Sequence, residues 1–192
     1  AEHTLEQQHP GFSAAFSFGG SQQLVTNVIS GAPADVIATA NASTMQKLVG
    51  AGLVSTPRTF ARNRLEIAVA RGNPRRITGL ADLARADLSV VLADPSVPAG
   101  DFAAQVLRRA GVTVVPRSLE LDVRSALQKV SAGEADAAIV YTTDVSPAAG
   151  TVDGVPIPDS QNVIATYPMA VVSASQNAAA AAAFVQDAVS GD

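Results

Sequence analysis

Along this chain, short apolar runs alternate with segments whose apolar residues recur at helical spacing. Phe12-Ser13-Ala14-Ala15-Phe16-Ser17-Phe18 alternates in part and predicts a strand that stops at Gly19-Gly20. Ser21 to Ser30 carries Leu24, Val25, Val28 and Ile29 on one face, a helix that Gly31 closes. Asp35-Val36-Ile37-Ala38 predicts a short buried strand, and Ala42 to Ala51 a helix closed by Gly52. Leu65 to Ala70 is almost continuously apolar and predicts a strand ended by Gly72-Asn73-Pro74. The middle repeats the theme: a short helix over Gly79 to Arg85, a strand over Leu88 to Leu92, a helix over Asp101 to Ala110 closed by Gly111, and a strand over Val112 to Val115. Asp122 is a good N-cap for a helix over Val123 to Ala132, which Gly133 closes. Ala137 to Val140 predicts a buried strand with Tyr141 at its carboxyl end, and Tyr167 to Val172 another. Asn177 caps a final helix running to about Val189.

Alternation of this kind predicts parallel or mixed sheets covered by helices, an α/β class. Residues 144–163, crowded with Pro147, Gly150, Gly154, Pro156 and Pro158, break the pattern. They predict a loop region with one short strand at Val155 to Ile157. No internal repeat of fixed period is present.

Composition narrows the function classes. The chain has 192 residues, 47% hydrophobic and 16% charged, which is globular and long enough to bury a core. It has no cysteine, which excludes disulfides, thiolate metal sites and cysteine nucleophiles together. The formal net charge is −4 with the cations scattered, a poor match to nucleic acid or anionic lipid. The mean hydropathy of +0.22 comes from alanine and valine. The longest small-apolar run, Ala178 to Val185, falls short of the roughly 20 apolar residues a membrane span requires. The first residues, Ala1 to Glu6, carry no basic n-region and no apolar h-region, the look of a mature or trimmed product.

Signals for catalysis are weak. His3 and His9 have no metal-ligand spacing and read as surface histidines. No G-x-S-x-G elbow, phosphate-binding P-loop or paired carboxylates stand out. Asp82, Asp87, Asp94 and Asp101 are well separated and read as helix caps or solvated groups. Arg75-Arg76 and Arg108-Arg109 read as solvated faces.

Ligands of open α/β sheets bind beyond the carboxyl ends of strands, where helix N-termini also point. Four segments have that address. At Gly19-Gly20-Ser21, Ser21 is either a plain N-cap or a donor to an anion through its hydroxyl and amide. Asp94-Pro95-Ser96-Val97-Pro98-Ala99-Gly100 is either a rigid connection or a place where Ala99 and Gly100 offer amides. At Asp122-Val123-Arg124, an Asp-capped helix still has first-turn amides free to donate. Tyr141 ends a buried strand, so its hydroxyl needs a partner, backbone or ligand.

With these stretches in hand, the chain resembles the periplasmic molybdate-binding proteins of ABC transporters, members of the bacterial solute-binding proteins. The residues that carry the likeness are Phe16-Ser17-Phe18-Gly19-Gly20-Ser21, Gly31-Ala32-Pro33-Ala34-Asp35-Val36, Phe60-Ala61-Arg62-Asn63-Arg64-Leu65 and Asp94 to Gly100. Asp122-Val123-Arg124, Gly133 to Tyr141 and Tyr167-Pro168-Met169-Ala170-Val171-Val172 complete it, in family order over almost the whole chain. The resemblance implies a two-lobed periplasmic-binding-protein fold with mixed sheets covered by helices and the ligand cleft between the lobes. Lobe I would comprise residues 1–64 plus 168–192 and lobe II residues 65–167, with crossings near Arg64-Leu65 and Tyr167-Pro168. It implies that Ser21 donates from hydroxyl and amide, Ala99 and Val123 from backbone N–H groups, and Tyr141 from its phenol. These four would meet molybdenum as its oxyanion only, with no catalytic residue and no cofactor. The family pattern opens with a strand and an Ala-Ala-Ser-Leu type segment whose Ser is a further ligand. This chain starts later and stops early at Gly191-Asp192, so lobe I is expected to lack its first strand, that Ser and a last helical stretch.

The implied function is the solute-binding component of a molybdate importer: an exported monomer, periplasmic or anchored at the cell surface, that delivers its anion to a membrane permease and binds no nucleic acid. Neutral donors at several helix N-termini stabilise a tetrahedral dianion without Lys or Arg contacts. Sulfate has the same charge but is smaller, so rigid donors select by size, and tungstate, nearly isosteric with molybdate, should bind as well. Another tetrahedral oxyanion, sulfate or phosphate, is the alternative; protonated phosphate needs an acceptor, for which Asp122 and Asp144 are nearest. A transcription regulator's effector domain is a further alternative, since this fold recurs there, but the chain carries no DNA-binding segment.

Overall fold

The computed structural model describes residues 13–190, and they divide into two compact units, residues 13–62 with 166–190, and Asn63–Ala165. The units change over in sequence at 62/63 and 165/166, against the 64/65 and 167/168 expected for the crossings. His3, His9, Phe12 and the segment Ala1 to His9 lie outside the described residues.

In the first unit, helix α1 spans Ser21–Ile29, strand β1 Val36–Ala38, helix α2 Ala42–Gly50 and strand β2 Arg58–Asn63. In the second, β3 spans Leu65–Ala70, a 3₁₀ turn Leu80–Ala84, β4 Val90–Ala93, α3 Pro98–Ala110 and β5 Ser118–Glu120. Then follow α4 Val123–Ser131, β6 Ala137–Tyr141, α5 Thr142–Val145 and β7 Val152–Pro156. Strand β8, Ala165–Val171, and helix α6, Ala178–Ser190, complete the chain.

The first unit is built on a three-stranded sheet in the order β1-β8-β2. β1 runs antiparallel to β8, with Ile37 opposite Ala170. Val25 and Val28 of α1, Met45 and Leu48 of α2, Ile37, Ala170 and Val172 form its buried core. The helical spacing of those residues is what buries one face of each helix.

The second unit holds a five-stranded sheet in the order β5-β4-β6-β3-β7. β4 is parallel to β5 and β6, while β3 is antiparallel to β6 and β7. Helix α4 covers one face through Ala126 and Val130, which pack with Val91, Ala138, Val140 and Ala68. The opposite phase of β6 meets α3, where the rings of Phe102 and Tyr141 lie 6.5 Å apart, edge to face.

Four expectations need correction. The strand over Phe12 to Phe18 is absent: residues 13–20 form no regular structure, and Phe18 is 79% exposed. Its partial alternation has no pairing strand beside it among the described residues. The strand over Val112 to Val115 is also absent. The strand that pairs with Val91–Ala93 is Ser118–Glu120, beyond Pro116, which has no N–H for a ladder. The region 144–163 is more ordered than a loop: the helix Thr142–Val145 runs into it, and its strand is Val152–Pro156 rather than Val155 to Ile157, an edge strand where Gly154 and Pro156 are tolerated. A Cβ on Gly154 would stand 2.5 Å from a carboxylate oxygen of Glu66, so that side chain packs directly over the glycine. Finally α3 begins at Pro98 rather than Asp101, since proline's missing N–H and fixed φ suit a first helical turn. β2, a mostly exposed edge strand, had no strong periodicity to predict it.

Candidate functional site

In the second unit, chain topology gathers the site before any side chain does. β4, β5 and β6 are parallel neighbours, so their carboxyl ends lie on one edge of the sheet. A helix starts just beyond each: α3 after β4, α4 after β5, α5 after β6. The chain leaves β4 to β5 on one side and returns to β6 on the other, which makes β4 the switch point where open sheets bind ligands. Ala99, Val123 and Tyr141 are therefore brought to one edge.

Ala99 lies in the first turn of α3, after an N-cap, Val97, whose side chain makes no capping hydrogen bond. First-turn amides have no partner within the helix, so those of Ala99 and Gly100 are aimed off its end. The turn is tight: a Cβ on Gly100 would stand 2.0 Å from the carbonyl oxygen of Asp94, so no side chain fits. Asp94 shapes the approach, accepting from Ser96 N–H at 2.8 Å while its own N–H donates to the Glu120 carbonyl at 2.8 Å. The bonds from Ser96 hold the Asp94 carboxyl below its usual range.

Val123 is the first residue of α4. Asp122 caps that helix with both oxygens engaged: Oδ1 accepts from Ser125 N–H at 2.9 Å and Oδ2 from the Ser125 hydroxyl at 3.0 Å. The cap serves the third helical residue and leaves the Val123 amide at the helix mouth. Lys129 and Ser118 both bond Glu120 on β5, which ties strand to helix and steadies the turn between them.

Tyr141 is 4% exposed at the end of β6, opposite Leu65 in register. Its N–H donates to Asp144 Oδ2 at 3.1 Å. Burial pushes the Asp144 carboxyl up, against the Tyr141 bond and the charge of Arg124, which pull it down. Burial likewise raises Glu66.

Ser21 belongs to the first unit and is described within it. It is not the N-cap: Gly20 is, and Ser21 is the first helical residue, 9% exposed. Its Oγ accepts from Ala40 N–H at 3.0 Å, which leaves the hydroxyl proton to donate elsewhere. Thr39 and Asn41 flank that contact, both buried. Thr39 donates to the Asn41 carbonyl at 2.8 Å, and Asn41 caps α2 by accepting from Thr44 N–H at 2.9 Å. Sequence reasoning missed Thr39 and Asn41, and it named Gly100 for its amide without the close contact to Asp94. An Asn directly before a helical pattern was the signal available for Asn41; Gly100's role lies in a contact that only folding creates.

Other groups fall outside this geometry. Arg75 pairs with Asp136 at 2.8 Å, half-exposed. A cavity of about 420 Å³ in the second unit is lined by Arg64, Arg109, Asp159, Asn162, Val163 and Ile164. There Arg64 bonds Asp159 and Arg109 bonds the Asn162 carbonyl, so each arginine is engaged within the chain. Among the described residues no group of three His, Asp or Glu side chains is placed to hold a metal ion.

A family model for bacterial extracellular solute-binding proteins matches residues 4–192. The molybdate-binding protein ModA of Mycobacterium tuberculosis is 39% identical over 178 residues, 92% of this chain and 68% of that protein. Among solved structures, the periplasmic molybdate-binding protein of Azotobacter vinelandii superposes with a TM-score of 0.75 at 21% identity, over 97% of this chain and 85% of that one. The sulfate-binding protein SubI of Mycobacterium tuberculosis gives 0.78 at 23% identity, over 95% and 73%. At such identities the two structures speak for the fold, a periplasmic-binding-protein α/β fold, and not for the anion.

Proposed function

This chain belongs to the bacterial extracellular solute-binding proteins, and from that membership we propose that it binds molybdate, and tungstate nearly as well, for an ABC importer. It is a binding protein and not an enzyme. The donors assigned to the oxyanion are the Ser21 hydroxyl and amide, the Ala99 and Val123 amides and the Tyr141 phenol. The observation that carries the reading is the sheet edge of the second unit, where parallel strands deliver helix N-termini whose Ala99 and Val123 amides the side-chain caps do not use. Such amides, with the helix dipoles behind them, favour a dianion through neutral donors. The 39% identity with a molybdate-binding relative supports molybdate over other anions.

Protonated phosphate would need an acceptor. Both oxygens of Asp122 already accept from Ser125, and one oxygen of Asp144 accepts from Tyr141 N–H, so the second Asp144 oxygen is the better placed of the two carboxylates to take a phosphate proton. Delivery to a membrane permease, action as a monomer and a location in the periplasm or at the cell surface belong to the same proposal. No helix among the described residues is long and apolar enough to cross a membrane.

Thermal melting in the presence of molybdate, tungstate, sulfate or phosphate tests the reading. Molybdate and tungstate are expected to raise Tm by mass action, and sulfate at equal concentration to leave it in place. An equal rise with sulfate would overturn selection by size.

A further inference from the structure

Asn63 ends β2 and begins the second unit, and its side chain is buried, 6% exposed. Its Oδ1 accepts from Arg64 N–H at 2.9 Å and from the Thr142 hydroxyl at 2.9 Å. Its Nδ2 donates to the Thr143 hydroxyl at 2.7 Å. Thr142 and Thr143 directly follow Tyr141 and open α5. A backbone bond, Thr142 N–H to the Arg64 carbonyl at 3.0 Å, already closes this corner, so the side-chain bonds add to a contact that exists without them.

Those bonds grip the exit from Tyr141. On its entry side the residue is held in register opposite Leu65, and its ring rests against Phe102. The phenol oxygen sits at the far end of a long, rigid side chain, so a small rotation at its Cα moves it through much of the tolerance of a hydrogen bond. Nothing in the side chain itself can correct a misplaced backbone, since only two torsions separate ring from main chain.

We infer that Asn63 is a positioning residue for the Tyr141 phenol: through Thr142 and Thr143 it sets where that hydroxyl points, and so how well it donates to a bound oxyanion. The inference rests on the molybdate-binding reading above. A purely structural asparagine would support the fold equally whether or not residue 141 carries a hydroxyl; a positioning one matters to binding only while the hydroxyl is there.

The test is a double-mutant cycle read by calorimetric titration with sodium molybdate. Asn63→Ala is expected to weaken binding about tenfold in the natural background, and by less than about twofold once Tyr141→Phe has removed the hydroxyl. Equal weakening in both backgrounds would overturn the inference. Thr142→Val guards against a variant that simply fails to fold, because it removes one bond at a half-buried site. It is expected to weaken binding about threefold, and an unchanged affinity would count against the proposal. A ligand-free arm separates this inference from the reading beneath it. The chain has two tyrosines and no tryptophan, so Tyr167→Phe leaves Tyr141 as the one tyrosine in the near-ultraviolet circular dichroism. In that background Asn63→Ala is expected to diminish the Tyr141 band while the far-ultraviolet spectrum holds; an unchanged band would overturn positioning. A natural protein that takes up no molybdate would defeat the functional reading, and the tyrosine band would still decide this one.

Discussion

The two units present their proposed donors by different means. In the first, one residue supplies both: Ser21 at the start of α1 offers its first-turn amide and its hydroxyl, the oxygen held by Ala40 N–H, with Thr39 and Asn41 buried alongside. In the second, two of three donors are main-chain amides, and what places them is the parallel set β5-β4-β6 with a helix after each strand. A side-chain donor is vulnerable at one residue. A main-chain donor tolerates almost any side chain at its own position, and is vulnerable instead at the neighbours that fix the backbone. Gly100 is such a neighbour, and so is the Asp122 cap.

That contrast can be broken most severely at Gly100. Gly100→Ala drives a methyl group into the Asp94 and Ala93 carbonyls, at 2.0 and 2.5 Å, so the turn must move. The expected cost is about 2–3 kcal/mol of stability, read by urea denaturation, together with loss of most molybdate affinity. Intact stability and binding would mean that the turn is not tight in solution.

Next come the side-chain donors. Ser21→Ala and Tyr141→Phe each remove one hydroxyl proposed to donate to the oxyanion, expected to cost about 1.5–3 kcal/mol, or roughly tenfold to a hundredfold in Kd. Arg75→Ala and Arg108→Ala serve as controls and should leave Kd unchanged. Calorimetry in which the arginine changes hurt more would place a cationic clamp where neutral donors are assigned.

Val123→Pro sharpens the main-chain half of the comparison. Proline is favoured at a first helical position, and Asp122 already has the extended backbone, φ −155° and ψ 162°, that a residue before proline prefers. The substitution deletes the amide proton and keeps an apolar ring where the Val123 side chain packs against the core. Tm should hold while Kd rises about tenfold; an unaltered Kd would remove Val123 from the donor set.

The smallest effect is expected at Asp144. Burial raises its carboxyl in the folded protein, so between its ordinary value and that raised value the folded state holds more protons than the unfolded one. Stability from this group therefore falls as pH rises through that window. Asp144→Asn, which still accepts from Tyr141 N–H, should flatten that part of a Tm–pH profile and strengthen molybdate binding a few-fold by removing a negative charge near the sheet edge. A profile identical to that of the natural protein would contradict the assigned burial.

Much of this architecture was legible in residue order. Leu24, Val25, Val28 and Ile29 at helical spacing predicted α1, and the unbroken apolar run Ala137 to Val140 predicted a strand that is buried along its whole length. Asp122 was readable as a cap, and it accepts from Ser125 as a cap should. These features depend on neighbours within a few residues, which is what a periodic pattern records. Where the pattern failed, a distant partner had decided. Phe12 to Phe18 has strand-like composition but no strand beside it among the described residues. Ser118–Glu120 looks unremarkable in sequence, yet it is the segment that meets β4.

The site divides along the same line. Sequence alone determined most helices and strands, the absence of cysteine chemistry and, through an ordered set of short matches, a family resemblance naming Ser21, Ala99, Val123 and Tyr141. It could place helix starts, and so first-turn amides, at Ala99 and Val123, but not show that those two starts share one sheet edge, because an amide carries no side-chain signature of its neighbours in space. Only the tertiary structure set three strands parallel so that their helices start on one edge, turned the Ser21 oxygen to Ala40, pressed Gly100 against Asp94 and closed Asn63 around the exit from Tyr141. Each of these joins groups far apart in the chain or excludes a single methyl group, and such contacts come into being only when the backbone has folded.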